Sequence, residues 1–182
     1  MYMPNYHLSK DGYDELPDVL ASRGFKKVAL IGGERALKAA SGKINDALKG
    51  TDVEITGTFV YGVECTDANI ERLKNEPAVK EADVLFGIGG GKALDTTKVL
   101  SLRADKPAFS FPTICSNCAA MTAIAVVYDE SGRVEGYEFP KSPSDIFIDL
   151  KIIAEAPEIY FWAGIGDGIS KQAEVLSASK GD

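Results

Sequence analysis

A glycine-rich turn between a buried strand and a helix most constrains what this chain can fold into. Three apolar residues, 84–86, precede the run from Gly87 to Lys92, and residues 94–100 follow with apolar side chains at helical spacing. Glycines let the backbone approach a phosphate closely, and a helix N-terminus directs free N–H groups and its positive dipole end toward an anion. The run therefore predicts an anion-binding turn. A glycine-rich turn without a ligand is the alternative.

Two common nucleotide-binding motifs are not matched by this run. A Walker A loop requires glycine six positions before the lysine and Ser or Thr after it, whereas Phe86 and Ala93 stand there. The Rossmann fingerprint requires a third glycine at the position of Lys92. The motif alone therefore leaves the type of nucleotide open.

Composition limits the possible partners and compartments. The chain has 182 residues, of which 45% are hydrophobic, which suits one domain with a substantial core. A formal net charge of −7 argues against nucleic acid and anionic membrane as partners. The N-terminus has no signal-peptide pattern, and no apolar run reaches the ~18 residues of a membrane span. Three cysteines, an odd number, fit a reducing compartment, so we expect a cytoplasmic protein.

Strands and helices alternate along most of the chain. The periodicity predicts helices at 11–23, 34–48, 66–76 and 92–103, and strands at 27–31, 54–60, 83–88 and 108–111. This order is typical of an α/β fold, with a parallel sheet covered by helices on both faces. Segments 123–128 and 134–139 flank a turn cluster and predict an added β-hairpin. Residues 145–149 predict a further strand, and 158–179 a helical region.

The glycine run also resembles a longer signature. Residues 89–98 have the pattern GGGKxxDxxK, which resembles the phosphate-binding signature of the iron-dependent alcohol dehydrogenase and glycerol dehydrogenase family. The more distant dehydroquinate synthases carry a related form. Segments 111–114, 123–128, 151–157 and 163–167 are also similar to glycerol dehydrogenase segments, in the family's order and spacing. The resemblance covers nearly all of the chain.

This resemblance implies a fold and an activity. It implies a Rossmann-like nucleotide-binding domain over residues 1–156. Residues 157–182 would be the opening helices of a truncated helical metal-binding domain that is otherwise absent. The implied activity is that of an NAD-dependent, metal-requiring alcohol or polyol dehydrogenase, a homo-oligomer acting on a small alcohol. A non-catalytic nucleotide-binding module and a dehydroquinate-synthase-like enzyme are the alternatives.

Several residues are candidates for binding the dinucleotide. Glu34 follows the first predicted strand, where a carboxylate can hold ribose hydroxyls and repel a 2′-phosphate, which favours NAD over NADP. Its alternative role is an acidic residue favoured by the helix dipole. Asp95, one turn before Lys98, would lie near the nicotinamide, or else form a surface ion pair with Lys98. The family resemblance implies that the other cofactor contacts are Gly89, Gly90, Gly91, Lys92, Thr113, Ser116, Thr122, Ile124 and Tyr128.

The Cys-x-x-Cys pattern at Cys115 and Cys118 suggests a redox pair or half a zinc site. A structural zinc site needs about four ligands. Besides this pair the sequence has only one cysteine, Cys65, and one histidine, His7, and both are distant in sequence. The resembled glycerol dehydrogenases have an aspartate near the substrate hydroxyls where this chain has Cys118. The cysteine therefore puts glycerol in doubt as the substrate.

Asp167, between two glycines, matches the family's metal-binding aspartate. Alcohol oxidation in the family needs a divalent metal, zinc or iron, to polarise the alcohol oxygen. Two histidines of the helical domain complete that site in the family, whereas His7 is the one histidine of this chain. The alternative role for Asp167 is a helix cap, with Lys171 one turn later as its partner.

Overall fold

A six-stranded parallel sheet forms the centre of the molecule. The computed structural model describes residues 3–179. The strands are β1 (Asn5–Ser9), β2 (Lys27–Gly32), β3 (Glu54–Val60), β4 (Val84–Gly89), β5 (Ala108–Pro112), β6 (Ala125–Tyr128), β7 (Val134–Glu138) and β8 (Asp145–Asp149). Six of them pair in the order β1-β8-β5-β4-β2-β3, and every pair in this sheet is parallel. Strands β6 and β7 form a separate antiparallel hairpin.

Helices cover both faces of the sheet, as the sequence predicts. They are α1 (Leu16–Arg23), α2 (Glu34–Leu48), α3 (Asp67–Asn75), α4 (Pro77–Glu81), α5 (Gly91–Ala104), α6 (Leu150–Glu155) and α7 (Glu158–Ala178). Side chains alternate along β2, so Val28 and Leu30 pack with α1 and α2 in one core. Ala29 and Ile31 pack with α3, α5 and the hairpin in the other core. The predicted Rossmann-like α/β fold is confirmed.

The first helix begins later than predicted. The sequence predicts a helix from residue 11, but α1 begins at Leu16, with Pro17 in its first turn. Proline lacks an N–H and clashes with the carbonyl four residues earlier, so it is tolerated at a helix start and not inside one. The preceding segment turns at Gly12, whose φ is +102°, and its N–H donates to the Asp149 carboxylate at 2.6 Å.

Helix α7 is the least packed element. None of its residues is buried, and its large apolar side chains are exposed, including Ile159, Phe161 and Trp162. It approaches the rest of the molecule closely at Gly164, where a Cβ atom would lie 2.1 Å from the carbonyl oxygen of Cys115. Within residues 3–179, no helix is both long and apolar enough to cross a membrane.

Candidate dinucleotide-binding cleft

An open cleft lies at the carboxyl ends of β2 and β4. Its volume is about 1470 Å³, and the residues just after β2, β3, β4 and β5 line it. The chain leaves β2 through α2 toward β3, and leaves β4 through α5 toward β5, on the other side. Connections that diverge from two adjacent parallel strands open a crevice, which is where open α/β sheets bind their ligands.

The first turn of α5 presents free N–H groups to this cleft. Gly90 is the N-cap, and its carbonyl accepts the first helical hydrogen bond from Leu94 N–H at 3.1 Å. The N–H groups of the helix's first three residues are therefore without an intrahelical partner. Gly89 has φ +146°, and a Cβ there would lie 2.9 Å from Ala93 Cβ. The tight turn thus requires glycine, and it leaves the helix N-terminus open to an anion.

A second helix N-terminus faces the same cleft. Gly33 caps α2, and both Glu34 and Arg35 in its first turn are exposed and line the cleft. The first turn of α2 lies close to the glycine turn that precedes α5, since a Cβ on Gly89 would be 3.6 Å from Ala36 Cβ. Two positive dipole ends therefore converge on one volume. Glu34 and Arg35 put opposite charges at its α2 side.

Lys92 carries an ion pair at the edge of the cleft. Its ammonium group pairs with the carboxylate of Glu64 and lies 5.7 Å from the centre of the Tyr128 ring. The hydrogen bond with Glu64 raises the pKa of Lys92. Lys92 therefore stays charged, but a phosphate group has to compete with Glu64 for it.

Asp95 and Lys98 form a buried pair, not the surface pair that the sequence offers as an alternative. Lys98 Nζ lies 2.8 Å from Asp95 Oδ1, and the Lys98 side chain is 1% exposed. Asp95 Oδ2 accepts the Val126 N–H at 3.1 Å. Lys98 also donates to the Ile124 carbonyl at 2.5 Å, with the Thr122 carbonyl at 3.4 Å. The pair ties α5 to the 122–126 segment, which forms one wall of the cleft.

The loop after β5 also lines the cleft and lies against the glycine turn. Thr113 N–H donates to the Gly89 carbonyl at 3.1 Å, which holds the loop against β4. A Cβ on Gly90 would lie 2.5 Å from Ile114 Cδ1, and one on Gly91 would lie 2.8 Å from Asn117 Nδ2. The glycines therefore leave room for this loop as well as for a ligand.

The three cysteines are free thiols in different surroundings. Cys65 is buried, Cys115 is exposed, and Cys118 is half-buried and lines the cleft. Burial raises the pKa of the Cys65 thiol to about 11. Cys118 is thus the thiol that a ligand in the cleft can contact.

Asp167 lies apart from these residues, on α7. It is not among the residues that line the cleft, and Lys171 Nζ lies 3.5 Å from its Oδ1. It sits inside α7, not at a helix start, so the predicted capping role is wrong, whereas the predicted pairing with Lys171 is present. His7 is stacked on Phe147, 4.5 Å between ring centres. Among residues 3–179 there is no group of three or more His, Cys, Asp or Glu side chains suited to a metal.

The structure brings every predicted cofactor residue to this one cleft. They are Glu34, Gly89, Gly90, Gly91, Lys92, Asp95, Thr113, Ser116, Thr122, Ile124 and Tyr128. Contact with a cofactor stays a prediction for each of them. Sequence reasoning missed other lining residues, among them Arg35, Tyr61, Asn117, Glu155 and Tyr160. A signal exists for Tyr61, which directly follows a predicted parallel strand.

Comparisons with known proteins agree with this geometry. A sequence model described as iron-containing alcohol dehydrogenase matches residues 7–157. Glycerol dehydrogenase of Thermotoga maritima is 38% identical over 122 residues, which is 66% of this chain and 33% of that protein. Hydroxycarboxylate dehydrogenase A of Escherichia coli is 30% identical over 173 residues, 94% of this chain and 47% of that protein.

A solved structure has the same fold over most of this chain. The crystal structure of a probable glycerol dehydrogenase from Sinorhizobium meliloti 1021 superposes with a TM-score of 0.80 and 30% identity. The match covers 93% of this chain and 46% of that one. The chain therefore spans half or less of the length of these relatives.

Proposed function

Because the chain belongs to the iron-containing alcohol dehydrogenase family, we propose that it supplies the dinucleotide-binding part of an NAD-dependent, metal-requiring alcohol or polyol dehydrogenase. One observation carries the proposal. The N-termini of α2 and α5 converge on one cleft at the point where the strand order diverges. This is the arrangement that binds the pyrophosphate of a dinucleotide in open α/β sheets.

The cleft suits NAD in volume, and different parts of the cleft can be assigned to the ribose, the pyrophosphate and the nicotinamide. Its volume of about 1470 Å³ exceeds the roughly 300–1,000 Å³ of a typical small-ligand pocket. The pyrophosphate is proposed to lie at the Gly90–Lys92 turn, with the adenosine ribose at Glu34. The nicotinamide half then extends toward Asp95, Thr122 and Ile124.

The side chains of residues 3–179 do not form a site for the metal. A catalytic zinc site uses three protein ligands, whereas within the described part of the chain Asp167 is the one candidate, and its carboxylate lies 3.5 Å from the Lys171 ammonium. We therefore propose that zinc or iron is held only together with ligands from outside this segment. The division into residues 1–156 and 157–182 is part of the same proposal.

The substrate is proposed to be a small alcohol or polyol. Glycerol itself is disfavoured, because Cys118 lines the cleft where the family's aspartate would stand. A thiol offers no fixed anionic acceptor for hydroxyl groups unless its pKa is strongly lowered. A homo-oligomer in the cytoplasm completes the proposal; three free cysteines fit that compartment.

Titration of NADH into the purified chain tests the proposal. Gly91→Val adds a branched side chain at the first residue of α5, and because Cβ atoms of a helix tilt toward its N-terminus, the new side chain should lie near the free N–H groups. The contact to give way would be the flexible Asn117 side chain, 2.8 Å from the new Cβ. Gly42→Val is the matched control, because that position in α2 has nothing within 4 Å. We expect Gly91→Val to lose at least about tenfold in NADH affinity while Gly42→Val binds normally. Equal affinities for both variants would refute the placement.

A further inference from the structure

Lys98 is a buried cation that joins two parts of the cleft. Its side chain is 1% exposed, and its ammonium group is held by an ion pair with Asp95 and by hydrogen bonds to the 122–124 segment. Asp95 Oδ1 lies at 2.8 Å, the Ile124 carbonyl at 2.5 Å, and the Thr122 carbonyl at 3.4 Å. A lysine ammonium has three donors, and here its hydrogen bonds go to the Ile124 carbonyl and to the carbonyl and hydroxyl of Thr122, the last at 3.5 Å.

Such a group needs a compensating environment. An ammonium group removed from water is costly unless charge and hydrogen bonds replace its hydration. Asp95 supplies the charge, and its second carboxylate oxygen accepts the Val126 N–H at 3.1 Å. Lys98 and Asp95 together thus hold three points of the 122–126 segment, at Thr122, Ile124 and Val126.

The held segment forms part of the cleft. Thr122, Ile124 and Val126 all line it, and the irregular chain between residues 113 and 124 contains no strand or helix of its own. Backbone hydrogen bonds of a regular element therefore do not fix the start of this wall. The buried pair supplies the fixed points instead.

We propose that Lys98 is the positioning residue for the nicotinamide half of the dinucleotide, acting through its buried contacts to the 122–126 wall. The inference rests on the proposed function, in which the adenosine and pyrophosphate lie at α2 and the glycine turn. These two sites do not depend on Lys98, because its ammonium group contacts neither of them. Loss of Lys98 should therefore affect one half of the ligand.

Hydrogen exchange of the chain without nucleotide tests the contacts themselves. Lys98→Met removes the ammonium group and keeps much of the side-chain length. Lys43→Met is the matched control, since Lys43 is also held by a largely buried ion pair, with Asp149 at 2.6 Å, away from the cleft. We expect peptides covering 119–126 to exchange at least about tenfold faster in Lys98→Met and normally in Lys43→Met. Unchanged exchange in Lys98→Met would overturn the inference.

A comparison of NADH with ADP, which lacks the nicotinamide, distinguishes an effect on the nicotinamide half from an effect on the adenosine half. We expect Lys98→Met to weaken NADH at least about tenfold and to leave ADP within about twofold of the unmodified chain. Equal loss of both ligands would overturn the inference and leave the proposed cofactor site standing. If the unmodified chain bound neither ligand, the proposed function and the nicotinamide role would both fall, and hydrogen exchange would report on the contacts alone.

A second variant covers the case in which Lys98→Met does not fold. Asp95→Asn keeps the shape of the side chain and removes the charge that compensates Lys98. It should give the same regional exchange and the same difference between NADH and ADP. Normal exchange at 119–126 and normal NADH binding in Asp95→Asn would contradict the proposal.

Discussion

The ammonium group of Lys92 is paired with the carboxylate of Glu64 at the edge of the cleft, beside the free N–H groups of α5. Glu64 is thus an anion next to a proposed anion site, and it neutralises the cation expected to meet a phosphate. We expect Glu64→Gln to tighten NADH binding by about two- to fivefold at low salt, because a removed surface charge contributes up to about 1 kcal/mol. Calorimetric titration would measure the change.

The control for this variant keeps the change in net charge the same. Glu81 pairs with Lys27 at 3.7 Å and does not line the cleft, so Glu81→Gln should leave NADH binding unchanged. Higher salt should reduce the difference between the two variants, since exposed charges are screened. Weaker binding in Glu64→Gln would mean that the pair organises Lys92 for the ligand.

Glu34 and Arg35 put opposite charges at the proposed site of the adenosine ribose, the part in which NAD and NADP differ. A carboxylate repels the 2′-phosphate of NADP, whereas an arginine attracts it. Because Glu34 is in the first helical turn, we expect the chain to bind NADH more tightly than NADPH, by about fivefold for ~1 kcal/mol of repulsion. Glu34→Gln should narrow the preference and Arg35→Gln should widen it. A preference unaffected by either change would place the adenosine ribose elsewhere.

The alternation of strands and helices could be predicted because local signals mark it. Gly32 and Gly33 end β2 before α2, and the side chain of Thr66 caps α3 by accepting the Asn69 N–H at 3.3 Å. Strand β1 lacks such a signal. Tyr6 is 74% exposed and Leu8 56%, and the strand forms by pairing with β8, about 140 residues later.

The surroundings of Lys98 could not be predicted for a related reason. The carbonyl groups that accept hydrogen bonds from Lys98 belong to residues 24 and 26 positions later, across an irregular loop. Helical spacing predicts the pair with Asp95, but the burial of that pair depends on how the loop and hairpin pack on α5. The residues that line the cleft could be predicted where a sequence motif identifies them. They could not be predicted where tertiary packing brings them to the cleft.

Asp149 should make stability depend on pH. Burial raises its pKa, but the Lys43 ammonium and the N–H groups of Gly12 and Ile152 outweigh burial and hold the pKa below its usual value. A carboxyl group with a lowered pKa stabilises the fold above its unfolded pKa of about 3.9, and that contribution is lost as pH falls through the folded pKa. We expect Asp149→Asn to lower the free energy of unfolding by about 1–3 kcal/mol at pH 7, and less below pH 4.

Urea unfolding at a series of pH values would measure this difference. Asp46→Asn is a suitable control, because Asp46 forms an exposed pair with Lys49 on the same helix as Lys43. Its effect should be small at every pH. A constant difference between the unmodified chain and Asp149→Asn across the acid range would contradict the assignment.

The cysteines should react with a thiol reagent in the order of their exposure. Cys115 is exposed, Cys118 is half-buried in the cleft, and Cys65 is buried with its pKa raised to about 11. Because the thiolate is the reactive form, Cys65 should react at pH 8 only on unfolding. NADH should slow labelling of Cys118 more than that of Cys115, as measured by mass spectrometry of labelled peptides. Equal protection of both would argue against a ligand that lies beside Cys118.

The 182-residue chain on its own should bind NAD without oxidising an alcohol. In a metal-requiring alcohol dehydrogenase the metal polarises the alcohol oxygen and stabilises the developing alkoxide, and a catalytic zinc site uses three protein ligands. Asp167 is the one candidate on α7, and its carboxylate lies 3.5 Å from the Lys171 ammonium. Zinc, iron or manganese should therefore bind weakly, and NAD reduction with glycerol, propanediols or simple alcohols should stay at background.

Lys171→Met distinguishes two explanations for weak metal binding, namely competition from the Lys171 ammonium and a shortage of protein ligands. It removes the ammonium group beside Asp167, so any metal affinity blocked by that pair would increase. We expect turnover to remain at background in this variant because a single carboxylate still cannot hold the metal tightly. A longer family member carrying the helical domain serves as the positive control in the same absorbance assay. Metal-dependent NAD reduction by the 182-residue chain would show that it assembles a metal site from its own residues. The proposal that further metal ligands come from elsewhere would then be wrong.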